Sequence, residues 1–153
     1  MPKNMGNTYG RKKKEMPVGS FHFGIEIDGI FEGSFLRVTG IASEIEVEEY
    51  KEGGMNHFVH YMPVRVKYSN IILEKGVTKS KELLKWFNQV KEGIMNKKNF
   101  SIVLWNNGGE IIRRWNFQNG YPIKWEASDL DAMGNSILIE KIELTHEGMN
   151  ENS

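Results

Sequence analysis

The chain contains no cysteine among its 153 residues. Disulfides, thiolate metal sites and a cysteine nucleophile are therefore excluded. It also lacks net charge: 20 basic and 20 acidic residues cancel. No overall field draws it onto nucleic acid or an acidic membrane, so any such attraction must come from a local patch. No stretch approaches the roughly 20 apolar residues that a membrane-spanning helix needs. The basic residues Lys3, Arg11, Lys12, Lys13 and Lys14 have no apolar run behind them, which predicts that they are not a secretory signal. There is no internal repeat and no low-complexity tract.

The usual signatures of catalysis are missing as well. No G-x-S-x-G elbow, H-E-x-x-H helix, G-K-S/T phosphate loop or G-x-G-x-x-G turn occurs, so a hydrolase triad, a zinc protease and a nucleotide cradle each lack their sequence basis. His57 and His60 form an H-x-x-H pair without a third ligand at fixed spacing. Asp129 and Asp131 in "SDLDAMGN" lack the alternating oxygens and final glutamate of a calcium hand. Glu44, Glu46 and Glu48 project from one strand face. Three carboxylates in a row make a solvated face more readily than a glycosidase pair, which needs two carboxyls across a cleft in different environments. The expectation is a protein that is not an enzyme and carries no cofactor or metal.

What is present is β periodicity. Phe21, Phe23, Ile25 and Ile27 alternate with His22, Gly24, Glu26 and Asp28, which predicts a strand closed by the turn signal Asp28-Gly29. A second strand is expected over 34–38 and a third over 41–50, with Ile41, Ser43, Ile45 and Val47 on one face and Glu44, Glu46 and Glu48 on the other. Val64, Val66 and Tyr68, continued by Ile71–Leu73, predict a further strand whose basic face would pair with the acidic one on 44–48. Residues 80–93 break the pattern: Leu83, Leu84, Phe87 and Val90 have helical spacing, Ser80 can cap the start and Gly93 can end it. Residues 100–106 and 110–119 face each other across Asn107-Gly108-Gly109 as a hairpin. Residues 135–148 fit a strand buried on two sides or a helix, and the β-branched residues favour the strand. Phe21, Phe23, Trp105, Trp115, Phe117 and Trp125 are expected in the core. The sum is a mainly β fold, a small barrel or sandwich of about seven strands with one flanking helix. It divides into a flexible basic arm at 1–19, a domain at 20–148 and a tail at 149–153.

The stretch "VEEYKEGGMNHFVHYMP" (47–63) raises a separate question, because its aromatic residues would be costly to leave in water. Burial against another subunit is the natural fate of such a segment.

Three stretches, taken together, resemble the inner-tube proteins of contractile phage tails and contractile injection systems. They are "FHFGIEIDGIFEGSFLRVTGIASEIEVEEYKEGG" (21–54), "YSNIILEKGVTKSKELLKWFN" (68–88) and "RRWNFQNGYPIKWEASDLDAMGNSILIEKIELTHEG" (113–148). The collinear set covers roughly residues 20–148. The resemblance implies a barrel-like fold related to haemolysin-coregulated protein of type VI secretion. It implies rings of six subunits stacked into a tube inside a contractile sheath, with baseplate and spike proteins at one end and DNA or protein cargo passing through the lumen. It implies assembly in the bacterial cytoplasm into a phage tail or tail-like particle, with no membrane anchor. Tyr50, Glu52, Gly53, Gly54, Asn56, His57, Phe58 and Tyr61 are then the expected inter-subunit and inter-ring contacts. Glu44, Glu46 and Glu48 are candidates for the lumen lining, where an acidic wall would repel DNA phosphates. Two other readings are a tube initiator or spike-proximal adaptor of the same apparatus and, from a different class, a small β-barrel that binds nucleic acid through the Arg11–Lys14 run.

Overall fold

The computed structural model describes residues 21–51, 53, 59–76, 80–134 and 138–152. Nine strands and one helix run through them: β1 (His22–Ile27), β2 (Ile30–Thr39), β3 (Ser43–Tyr50), β4 (His60–Tyr68), β5 (Ile71–Gly76), α1 (Glu82–Lys91), β6 (Lys98–Trp105), β7 (Ile111–Ala127), β8 (Ile139–Thr145) and β9 (Gly148–Asn152). Asp28 and Gly29 both have positive φ, 49° and 78°. That is the backbone of a two-residue hairpin turn matched to strand twist, and it joins β1 to β2.

Six strands close on themselves. The order β6-β1-β2-β5-β8-β7 is completed by pairing of β7 back onto β6, and every ladder is antiparallel. This is the expected mainly β, barrel-like architecture with one helix beside it. The long β7 allows the closure. Its first half pairs with β6 and with β9, its second half with β8. Ring closure removes the open edges that would otherwise template aggregation.

Strict alternation fills the interior. Ile25, Ile71, Leu73, Ile102 and Leu144 are fully buried, and each such side chain contributes about 1.5–3 kcal/mol by leaving water. Phe100 stacks on Phe117 with ring centroids 4.8 Å apart. Gly120 lies against that pair, and a Cβ there would collide with the Phe100 ring. α1 packs its Leu83 and Trp86 into the same cluster, and the Trp86 indole N–H donates to the Asn96 carbonyl at 2.8 Å.

Several expectations change. Ser80 does not cap α1; Lys81 holds the cap position without a side-chain bond, and the Ser80 hydroxyl donates to Glu32 instead. The helix does end at Gly93, whose φ of 90° stops it. The strand expected through 64–73 is two strands, broken at Ser69-Asn70. The strand expected over 110–119 runs on to Ala127 as the single β7. β9 starts at the last residue of the expected domain and takes in 149–152 of the expected tail, pairing with β7. Among the expected core aromatics, Phe117 is buried and Phe23 and Trp115 pack beside the core. Trp105, by contrast, shares a face with Ser101 and Val103, opposite to that of Phe100, Ile102 and Leu104, and so lies on the outside. The cluster instead gains Phe35, Trp86 and Phe100.

Candidate assembly surface

β3 and β4 form a two-stranded sheet of their own. They leave the barrel where β2 ends and β5 begins. Gly40 makes the exit with φ 91°, and a Cβ on it would collide with the Asn70 carbonyl oxygen. The root is tied by Ser69 N–H donating to the Ala42 carbonyl at 3.3 Å and by the Asn70 amide donating to Glu143 at 3.0 Å. His146 Nε2 lies 3.0 Å from the Ser69 carbonyl oxygen.

Register fixes what each face of the hairpin carries. Residues directly opposite share a face. One face holds Ser43/Tyr68, Ile45/Val66, Val47/Pro63 and Glu49/Tyr61; the other holds Glu44/Lys67, Glu46/Arg65, Glu48/Met62 and Tyr50/His60. A bulge between Glu46 and Val47 leaves Val64 unopposed and keeps the two faces in phase. On the first face Ile45 is 60%, Val47 54% and Tyr61 67% exposed. A two-stranded ribbon of this kind is at best marginally stable alone in water, and this one projects an apolar face that no part of the described barrel covers.

The opposite face is ionic. Arg65 bonds to Glu46, and Lys67 Nζ stands 3.3 Å from the same carboxylate. The hydrogen bond from Arg65, reinforced by Lys67, holds the Glu46 carboxyl below its ordinary value of 4.5, and the guanidinium is correspondingly raised. A carboxyl depressed by folding supports the folded hairpin above its ordinary value, and that support fades as pH falls through the lowered one. Because both groups are in water the effect on stability is small, but the titration is measurable. The Glu46 side-chain carbon is expected to titrate below the normal carboxylate range by NMR, and Arg65→Gln is expected to return it upward. A midpoint indifferent to Arg65→Gln would remove the pair from the account.

The chain matches the family model described as T4-like virus tail tube protein gp19 over residues 19–150. It belongs to that tail tube family. Among solved structures it is similar to a chain of the sheath-tube complex of an extracellular contractile injection system (PVC) in the extended state, with 27% identity, TM-score 0.79, and 92% of this chain and 94% of the other covered. It is similar to a chain of the tube-terminating cap of the anti-feeding prophage, with 25% identity, TM-score 0.80, and 97% and 99% covered. Hcp1 from Flavobacterium johnsoniae, at 15% identity and TM-score 0.58 over 85% and 94% of the two chains, shares the fold. No curated protein sequence matches significantly. The tube chain is thus a structural component of a phage tail or phage-tail-like particle.

Of the expected contact residues, Tyr50, Gly53 and Tyr61 are described. Tyr50 ends β3 opposite His60, Tyr61 lies on the apolar face, and Gly53 sits in a bend. Glu52, Gly54, Asn56, His57 and Phe58 lie outside the described residues, as does the Arg11–Lys14 run. The two ends of the 47–63 stretch are strand, 47–50 in β3 and 60–63 in β4. The carboxylates Glu44, Glu46 and Glu48 do share a face, but Arg65 and Lys67 stand opposite two of them, so the strip is largely neutralised where an acidic wall was expected. Among the described residues no group of three or more metal-ligating side chains gathers, and no helix is long and apolar enough to cross a membrane.

Proposed function

We propose that the tube chain is the repeating subunit of the inner tube of a contractile tail or injection system, that six copies close into a ring, and that rings stack within a sheath. The observation that carries this reading is the β3–β4 hairpin, whose Ile45, Val47, Tyr61 and Val66 stand in water on one face. Their burial on a second copy completes what the single chain leaves open. Similarity to a chain of a sheath-tube complex supports the sheath as the surrounding partner, and similarity to a chain of the anti-feeding prophage baseplate supports a baseplate at one end. Assembly takes place in the bacterial cytoplasm, and the role is mechanical, with no catalysis and no cofactor.

In this reading the two hairpin faces have different jobs. The apolar face lies on the neighbouring subunit. The ionic face of Glu44, Glu46 and Glu48 with Arg65 and Lys67 turns to the lumen. A wall of paired charges presents little net field, so DNA or a folded cargo slides past without being gripped. The tip at 51–59 reaches the adjacent ring.

Negative-stain imaging of the purified chain tests the assembly, and rings or tubes are expected. A chain that stays monomeric at high concentration, or that binds DNA as a salt-sensitive monomer, overturns the proposal. Removing Phe58 and Tyr61 together is expected to shorten or abolish tubes while leaving the monomer's melting curve in place; tubes of normal length from that double variant would take the tip out of ring stacking.

A further inference from the structure

A second apolar surface lies on the barrel wall. The outward face of β1, β2, β6 and β7 carries Phe31, Trp105 and Ile111 around a groove of about 390 Å³. Phe31 is 50% and Ile111 54% exposed. The Phe31 and Trp105 rings meet edge to face at 5.3 Å. Phe31 lies over Gly24, where any side chain would collide with it. Val103 forms the buried floor, and an ion pair between Arg114 and Glu26 at 3.1 Å marks the rim. Open to water in the chain that also exposes the hairpin, this groove is not filled by that chain's own β3–β4.

We infer that the groove receives the apolar face of the β3–β4 hairpin from the next subunit. This rests on the tube reading above and adds the identity of the surface the hairpin meets. Three observations support it. Among the described residues, each chain presents an apolar ribbon and an apolar groove that nothing covers. The two are different surfaces, so their pairing is head-to-tail, the kind of contact that closes into rings or continues as a filament. Charge agrees: Glu49, on the apolar hairpin face beside Tyr61, can approach Arg114 at the rim while Ile45 and Val47 fill the space between Phe31 and Ile111. The register of the ring would thus be set by one charge and the affinity by branched side chains, as in interfaces with an apolar centre and polar rim.

The absence of cysteine makes the test direct. Val47→Cys and Ile111→Cys replace exposed side chains and leave the fold intact. Under mild oxidation, or with a short bis-maleimide linker, the double variant in assembled tubes is expected to give a ladder of covalent multimers. A mixture of the two single variants is expected to stop at dimers, and either alone to give none. The pair Ile45→Cys with Phe31→Cys serves as the second combination. Several results overturn the inference while leaving the tube reading standing: tubes in which neither combination bonds, Val47→Cys bonding to itself, or Ile111→Cys bonding to a cysteine placed within residues 1–20. Failure of the unmodified chain to form rings or tubes overturns the tube reading itself, and this inference with it.

Discussion

Val47→Glu is expected to leave the tube chain folded and to abolish its assembly. Val47 is half in water in the single chain and points away from the barrel core, so the substitution falls among surface changes that shift folding stability by only about 0.5 kcal/mol. In the proposed tube the same position becomes buried on a neighbour, where an unpartnered carboxylate would cost several kcal/mol. A loss of roughly 3 kcal/mol at one contact weakens it about a hundredfold, and a ring repeats that loss at every junction. Circular dichroism should show a melting curve close to that of the parent, while sedimentation and negative stain show monomers. The control is Glu48→Gln on the opposite face, which is expected to assemble normally. Tubes of ordinary number and length from Val47→Glu would show that the apolar face is not the assembly surface.

How much of this could be read in the residues follows from where the period-two signal is clean. The alternation at 43–50 was readable, and so was its pairing with the following basic strand, because faces of opposite charge mark cross-strand partners; the individual pair of Glu46 and Arg65 needed the register. The helix was readable because four apolar residues at helical spacing sit between a polar start and Gly93. The turn at Asp28-Gly29 was readable from its dipeptide alone. The break at Ser69-Asn70 was not, because a continuous branched run hides a junction made by the fold: Gly40 and Asn70 come together from 30 residues apart. The barrel and its β6–β7 hairpin were legible, but the change of partner midway along β7 was not, because it too is made by the fold. Trp105 was misplaced through its aromatic character, although its phase against Phe100, Ile102 and Leu104 already put it on the outer face. The groove around it was therefore missed. The neutralised ionic strip was half legible: both charge runs were seen, but the consequence for a lumen wall needed the register.

The largest loss of stability is expected from Lys75→Met. Lys75 faces inward, nearly out of water, with its ammonium 3.8 Å from a Glu32 oxygen and 3.9 Å from a Glu140 oxygen. One oxygen of Glu32 is buried with no hydrogen-bond partner among the described residues, and the other accepts from Ser80, just before α1. The cluster sits beside Leu83 and Leu84 of α1, and Ile142 lines the same small cavity. Removing the ammonium leaves the part-buried carboxylates of Glu32 and Glu140, 10% and 22% exposed, without their cation; breaking a fully buried pair costs about 3–5 kcal/mol, which is the upper bound here. That is a large share of the total stability of a domain this size. The urea midpoint should fall accordingly, and tube yield should fall with it because less of the subunit stays folded. Adding Glu32→Gln and Glu140→Gln to Lys75→Met is expected to restore most of the midpoint, because neutral groups in place of the whole cluster remove the uncompensated charge. If Lys75→Met alone costs less than about 1 kcal/mol, well below the range for buried pairs, the ammonium is not what holds these carboxylates inside. Attachment of α1 would then rest on its apolar face, Leu83 and Trp86 with Val90 beside them, and the pattern of loss separates the two cases: in the Val47→Glu chain the fold survives without the tube, whereas in the Lys75→Met chain the tube is lost in step with the fold.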